Sequence, residues 1–249
     1  MTDTSGDGKV VVAWLHGHDV NAAFSTSLVD LLVYDMASNR RIVNGGGRIA
    51  RHASVNISGP RNAVALEFLE NHSAEWLWMV DSDMTFKPDT VERLVQAADP
   101  DTAPIVGALC FAATEGNIWP TIFHLAGDAE HPALVRQTNF PLGELVECDA
   151  TGAASLLVHR DVFGKMRDKF GGPYPWFQET LLGGVGLGED LTFCLRAGLC
   201  DVPVHVHTGV EMGHVKPTLL TLERYQAQLR RMDEVKAAAE AQQRESADA

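Results

Sequence analysis

Glu75-Trp76-Leu77-Trp78-Met79-Val80-Asp81-Ser82-Asp83-Met84 is an apolar run that breaks abruptly into two carboxylates separated by one residue. The run reads as a buried strand that delivers acid groups to the C-terminal edge of a sheet, where open α/β sheets bind their ligands. Alternate residues of a strand share a face, so Asp81 and Asp83 would point the same way if the strand continued. Two carboxylates converging in a cleft repel each other unless a cation sits between them. The pattern therefore points to a divalent-metal site, with a solvated turn or helix cap as the plainer alternative. A solvated loop has no need of Trp-Leu-Trp-Met-Val before it.

Outward from this strand, Pro88 is placed at the first position of a helix that buries Val91, Leu94, Val95 and Ala98. Upstream, Lys9 to Leu15 is a β-rich run, expected as the first strand of a parallel sheet ending at His16-Gly17-His18. His16 and His18 sit at the strand's end, a place for metal ligands, with the plainer alternative that they line a nucleotide pocket or cap a turn. A helix over 21–34 follows, with Phe24, Leu28, Leu31 and Leu32 inward. Arg40 to Val43 is expected as a second strand, and Gly45-Gly46-Gly47, lacking phosphate-loop spacing, as a flexible loop. Ser58-Gly59-Pro60 opens another helix with Arg61 and Asn62 in its first turn, a setting suited to phosphate.

Downstream, strands are expected over 104–110, 121–126, 144–148 and 154–159, with Gly152 in the break between the last two. A helix over 161–169 leads into the aromatic loop Gly171 to Phe177, a candidate substrate lid that carries Trp176. Gly183 to Gly188 then precedes Glu189 and Asp190, which open a helix with Leu191, Cys194 and Leu195 inward. Carboxylates are favoured in a first helical turn, but the glycines ahead of them suggest close approach to a ligand. Pro203 to His207 is a late strand, followed by Gly213-His214. A last helix presents Leu219, Leu222, Tyr225, Leu229, Met232 and Val235 at helical spacing, as a packing face.

At 249 residues and 45% hydrophobic content the chain can bury one sizeable core. The expected organisation is a disordered segment over 1–8, one domain over 9–236 and a polar tail over 237–249. A net charge of −13 argues against a protein that holds bulk nucleic acid through counterion release. The 4 cysteines lack paired metal spacing. No signal peptide is read at the start and no apolar run approaches the ~20 residues of a membrane span, so a cytoplasmic protein without a membrane span is expected.

Taken in order, the Val-rich first strand, Arg61-Asn62, Asp81-Ser82-Asp83, Gly188-Glu189-Asp190 and Gly213-His214 resemble the glycosyltransferases of A-type (GT-A) fold, particularly the family-2-like enzymes. The resemblance spans residues 9 to 216. It implies a single α/β, Rossmann-like domain with a mostly parallel central sheet flanked by helices, plus a C-terminal helix. It also implies a nucleotide-diphosphate sugar donor, a UDP-sugar foremost, and Mn²⁺ or Mg²⁺ held by Asp83 and His214, with Asp81 on the ribose or on the metal through water. By the same resemblance Asp190 is the general base for inverting transfer to an acceptor hydroxyl, Glu189, Trp176 and Gly152 lie near the sugars, and Arg61, Asn62, His16 and Gly17 line the nucleotide side. Hard oxygens with one imidazole suit Mn²⁺.

Asp81-Ser82-Asp83-Met84-Thr85 is also similar to the Asp-x-Asp-x-Thr signature of haloacid-dehalogenase-like phosphatases, which would make Asp81 a nucleophile. Those enzymes carry that motif on the first strand, whereas two apparent strands precede it here. A sugar-nucleotide-binding protein without turnover is the third alternative, and it would make Asp190 dispensable. Nothing in the sequence names the acceptor: glycan, small molecule, protein or modified nucleic-acid base all fit.

Overall fold

A computed structural model of the chain describes residues 9–44, 46–53, 56–114, 117–128, 130–217, 219, 221–222 and 224–232. The terminal segments 1–8 and 237–249, Gly45 and Val235 lie outside the described residues. The chain divides into two compact units, Met1–Val215 and Lys216–Ala249, so the single body read to residue 236 is divided at 215.

The first unit runs β1 (Val10–His16), α1 (Ala22–Ala37), β2 (Gly47–His52), α2 (Ser58–Asn71), β3 (Trp76–Asp81), β4 (Met84–Thr85), α3 (Thr90–Ala97) and β5 (Ile105–Leu109). It continues through β6 (Phe111–Thr114), β7 (Asn117–Pro120), β8 (Ile122–Ala126), β9 (Ala133–Arg136), β10 (Leu145–Cys148), β11 (Ala150–Thr151), β12 (Ser155–His159) and α4 (Arg160–Phe170). It closes with β13 (Thr180–Leu182), β14 (Val185–Leu187), α5 (Glu189–Gly198), β15 (Val204–Glu211) and β16 (Gly213–His214).

Seven strands form one sheet in the order β10-β15-β5-β12-β3-β1-β2. Five of the seven run in one direction and only β10 and β12 oppose them, which is the mostly parallel α/β sheet expected. Trp76 to Val80 of β3 are all buried, as a strand covered on both faces must be. Its side chains alternate between two apolar cores, Leu77 and Met79 in one and Trp76, Trp78 and Val80 in the other. The indole of Trp78, fully buried, donates its Nε1–H to Ser155 Oγ at 3.0 Å. That bond satisfies the one polar atom the ring carries into the core.

Several local expectations are corrected. Arg40 to Val43 is a turn, because the buried Asp35 carboxylate accepts the amides of both Ile42 and Val43 and so removes them from any ladder. The second strand is β2 instead, and Gly46 ahead of it packs tightly. A Cβ on Gly46 would lie 2.2 Å from the Val10 carbonyl oxygen, so close backbone approach rather than flexibility explains the glycine. Helix α3 begins at Thr90 with Asp89 as its cap, leaving Pro88 outside it. The buried face of α5 is Thr192, Phe193, Cys194 and Ala197; Leu191 and Leu195 are half-buried. The face is set by Phe193, which stacks on Phe177 with centroids 4.6 Å apart. In the second unit residues 224–232 are helical, and Leu222, Tyr225, Leu229 and Met232 are exposed rather than packed.

Among the described residues no helix is long and apolar enough to cross a membrane.

Candidate functional site

The codirectional strands bring their C-terminal ends to one edge of the sheet. There β3 stops at Asp81, and Ser82-Asp83 turns the chain into β4. The strand does not continue, so the two carboxylates take different partners instead of sharing a face. Asp81 Oδ1 accepts from Arg61 Nη2 at 2.8 Å, whereas Asp83 Oδ2 meets His214 Nε2 at 3.1 Å.

His214 reaches Asp83 through a two-strand ladder. Gly213 and His214 of β16 pair antiparallel with Thr85 and Met84 of β4, and Val215 N–H donates to the Asp83 carbonyl at 2.9 Å. A Cβ at Gly213 would stand 2.2 Å from Thr85 Oγ1, so glycine is what lets the strands close. His214 Nδ1 lies 2.9 Å from the Phe111 carbonyl oxygen. A carbonyl only accepts, so Nδ1 carries a proton, and Nε2 is left facing a carboxylate oxygen. Two acceptors at that distance need a cation between them, either a proton on Nε2 or a metal. A ring held through Nδ1–H with Nε2 presented beside a carboxylate is the arrangement of a metal-ligating histidine, and the spacing matches neighbouring ligands on a cation with bonds of ~2.1 Å. The residues therefore fit a divalent cation. Among the described residues no group of three or more His, Cys, Asp or Glu side chains is placed to hold a metal ion, so any ligands beyond this pair would come from substrate and water.

Arg61 is only 5% exposed. Besides Asp81, its Nη1 lies 3.1 Å from Glu189 Oε1 without the alignment of a hydrogen bond. Burial alone would lower the guanidinium pKa, but Asp81, Glu189 and Asp190 outweigh it and hold it above its ordinary value. The same enclosure pushes the Asp81 and Glu189 carboxyls up, burial leading, with Arg61 opposing and Asp190 adding repulsion at both. The guanidinium read for phosphate thus faces Asp81 and Glu189 inside the protein. Asn62 is also internal. Its Nδ2 donates to the Ser58 and Phe177 carbonyls at 2.7 Å each, and its Oδ1 accepts the amides of Trp176 and Phe177. Trp176 is 2% exposed and donates Nε1–H to the Phe163 carbonyl, so it belongs to the core and not to a lid over a sugar.

Asp190 sits in the first turn of α5. Its Oδ1 accepts the Leu191 amide at 2.8 Å. A Cβ at Gly188 would lie 2.9 Å from Oδ1, closer than side chains pack, whereas one at Gly152 would make an ordinary contact with Oδ2 at 3.5 Å. Gly152, read as lying near the sugars, stands beside the Asp190 carboxylate. The other glycines ahead of α5 have a different cause, since Gly183 and Gly184, both at positive φ, form the two-residue turn between β13 and β14. His16 ends β1, one residue beyond the register partner of Asp81. Its Nδ1 lies 2.8 Å from the Gly17 carbonyl, and its ring lies 6.0 Å from that of His52. These imidazoles flank the Asp81 strand but do not join the Asp83–His214 pair.

Sequence reading missed the Arg61–Glu189 contact and the orienting carbonyl of Phe111. The carbonyl has no side-chain signature. The ion pair could have been sought, because one arginine and two acids at three element ends of the same sheet edge leave charges that need partners.

No protein-family model and no curated protein sequence matches this chain. Solved structures do resemble it. A structure described as A197 from STIV aligns with a TM-score of 0.53 at 12% identity, covering 84% of this chain and 86% of that one. GalNAc-T7, solved with UDP, GalNAc and Mn²⁺, aligns with a TM-score of 0.55 at 12% identity over 84% of this chain. The match spans 44% of the GalNAc-T7 chain, less than half its length. At this identity the likeness is one of fold: a GT-A-like mixed α/β architecture around a seven-stranded, mostly parallel sheet.

Proposed function

We propose that this chain is a metal-dependent glycosyltransferase, moving a sugar from a nucleotide-diphosphate sugar, a UDP-sugar foremost, to an acceptor hydroxyl with inversion. The observation that carries the reading is the Asp83–His214 pair at 3.1 Å, on the same sheet edge as Asp190. Both Asp83 and Asp190 lie close enough to act electrostatically on Asp81. Asp83 and His214 would hold Mn²⁺ or Mg²⁺, which supplies positive charge to a departing diphosphate. Asp190 Oδ2, beside Gly152, accepts the proton of the attacking hydroxyl. Arg61 keeps the start of α5 tied to the end of β3, so that base and diphosphate site hold one spacing. His16 and Gly17, at the end of β1, line the nucleotide side. As the nucleophile of a phosphatase, Asp81 would have to leave its ion pair with Arg61.

A screen of sugar nucleotides with and without Mn²⁺, read by nucleotide-diphosphate release and by titration calorimetry, tests the reading. Metal-dependent binding and turnover of one donor is expected, and Asp83→Ala should remove the metal-dependent part of the affinity while leaving a folded protein. Unchanged affinity in that variant refutes the metal assignment. Binding of a donor with no release under any acceptor condition would leave a binding protein instead.

A further inference from the structure

Away from the metal pair, one aromatic surface adjoins the candidate base and is used by no step above. The small sheet β11-β8-β9 starts at Ala150-Thr151, directly before Gly152. Ala150 registers with Phe123, and Phe123 with Arg136. Cross-strand partners share a face; the row is buried at Ala150, and Phe123 packs against the core. At its outer end the Arg136 guanidinium lies 5.0 Å from the Phe123 ring and 5.9 Å from the ring of Trp119 on β7. Trp119 is 39% exposed, so a substantial part of the indole stays open to solvent. The chain from Trp119 returns to the site within two residues: Thr121 Cβ would lie 3.9 Å from a Cβ on Gly152, the glycine that faces Asp190 Oδ2.

We propose that this shelf of Trp119, Arg136 and Phe123 seats the acceptor, and that the acceptor is a carbohydrate of at least two sugar rings. The inference rests on the transferase reading for its reaction, but not for its binding. A half-open indole beside a single guanidinium matches the apolar C–H face of a pyranose and the hydroxyls at its rim. A long acyl chain would need a continuous apolar groove. A nucleic acid would need a run of cations, which a row with Arg136 as its one charge does not provide. Trp119 stands two residues, ~7 Å of extended chain, from Thr121, which together with Asp190 flanks Gly152, a span that lets one ring present its hydroxyl to Asp190 while the next stacks on Trp119.

The test uses the full chain with UDP and Mn²⁺ present, and titrates trisaccharides of glucose, N-acetylglucosamine, galactose, mannose and xylose. The wild type should bind at least one of them. Trp119→Ala should weaken that binding ~10-fold or more, the scale of an anchoring tryptophan, whereas Trp119→Phe should stay within ~3-fold because a stacking face remains. Affinity for UDP with Mn²⁺ should be the same in all three proteins. Wild type that binds UDP with Mn²⁺ but none of the trisaccharides overturns the proposal, as does Trp119→Ala binding equal to wild type. Trp119-dependent trisaccharide binding in a protein that ignores UDP with Mn²⁺ would uphold the shelf and remove the transferase reading instead.

Discussion

Replacing Arg61 with methionine keeps most of the side-chain volume and removes the charge between Asp81 and Glu189. The two carboxylates do not lose equally. The Asp81 side chain is 37% exposed and can turn to water, whereas that of Glu189 is 8% exposed and cannot. Breaking a buried pair by deleting one partner costs about 3–5 kcal/mol. With one of the two acids able to rehydrate, the lower end applies, ~3 kcal/mol. At a urea m-value of about 3 kcal/mol/M this lowers the unfolding midpoint by ~1 M at pH 7. The sign of the pH dependence follows from Glu189, whose folded pKa is already raised by burial and rises further once Arg61 no longer opposes it. A raised carboxyl pKa destabilises the fold while the group is charged, and protonation relieves the penalty. The gap between variant and wild type should therefore narrow as the pH is lowered from 7 toward 5. Urea titrations followed by circular dichroism at both pH values measure it. A midpoint shift under ~0.3 M at pH 7, or a gap that widens on acidification, refutes the argument that Arg61 neutralises these acids.

Asp190→Asn should bind donor nearly as wild type and transfer sugar at least ~100-fold more slowly; wild-type rates in single-turnover assays would reduce Asp190 to a helix cap. His214→Ala should lower Mn²⁺ affinity ~10-fold or more in calorimetry, whereas His207→Ala, on β15 with its Nδ1 accepting the Gly209 amide, should not; equal effects would remove His214 from the site. Glu92 receives two bonds from Arg41, at 2.6 and 3.0 Å, and those bonds lead in holding its pKa near about 2 against an ordinary 4.5. That depression stabilises the fold above pH 4.5, and the contribution is lost as the pH falls from there through about 2. Glu92→Gln should accordingly destabilise the protein at pH 7 and much less at pH 3, and a pH-independent difference in unfolding midpoint would contradict it.

What could be read in advance follows from where the physics is local. The all-apolar run before Asp81, the Val-rich β1 and the glycine ahead of α5 are visible because burial on both sheet faces and a clear helix start each impose a residue pattern over consecutive positions. Arg40 to Val43 has strand-like residues yet forms a turn, since the Asp35 carboxylate decides the matter from the preceding helix. Arg61, Asn62 and Trp176 were assigned to ligands because polar and aromatic groups near a sheet edge look alike whether they face a substrate or one another. Only distances separate those cases. The pairing of Asp83 with His214 was legible through resemblance, but its support by the Phe111 carbonyl was not, because backbone acceptors are the same at every position.

Asp83 and His214 are 131 residues apart in the sequence, and the short ladder between β4 and β16 joins them at the last positions of the first unit. In synthesis from the N-terminus, therefore, every strand of the main sheet leaves the ribosome before the second ligand does. The core can gather while the Asp83–His214 pair is still incomplete, so on the proposed reading the nascent chain has no place for metal until the last strand is out. A truncation placed between Glu211 and Gly213 keeps every strand of the main sheet and should yield a sheet that folds without the Asp83–His214 pair.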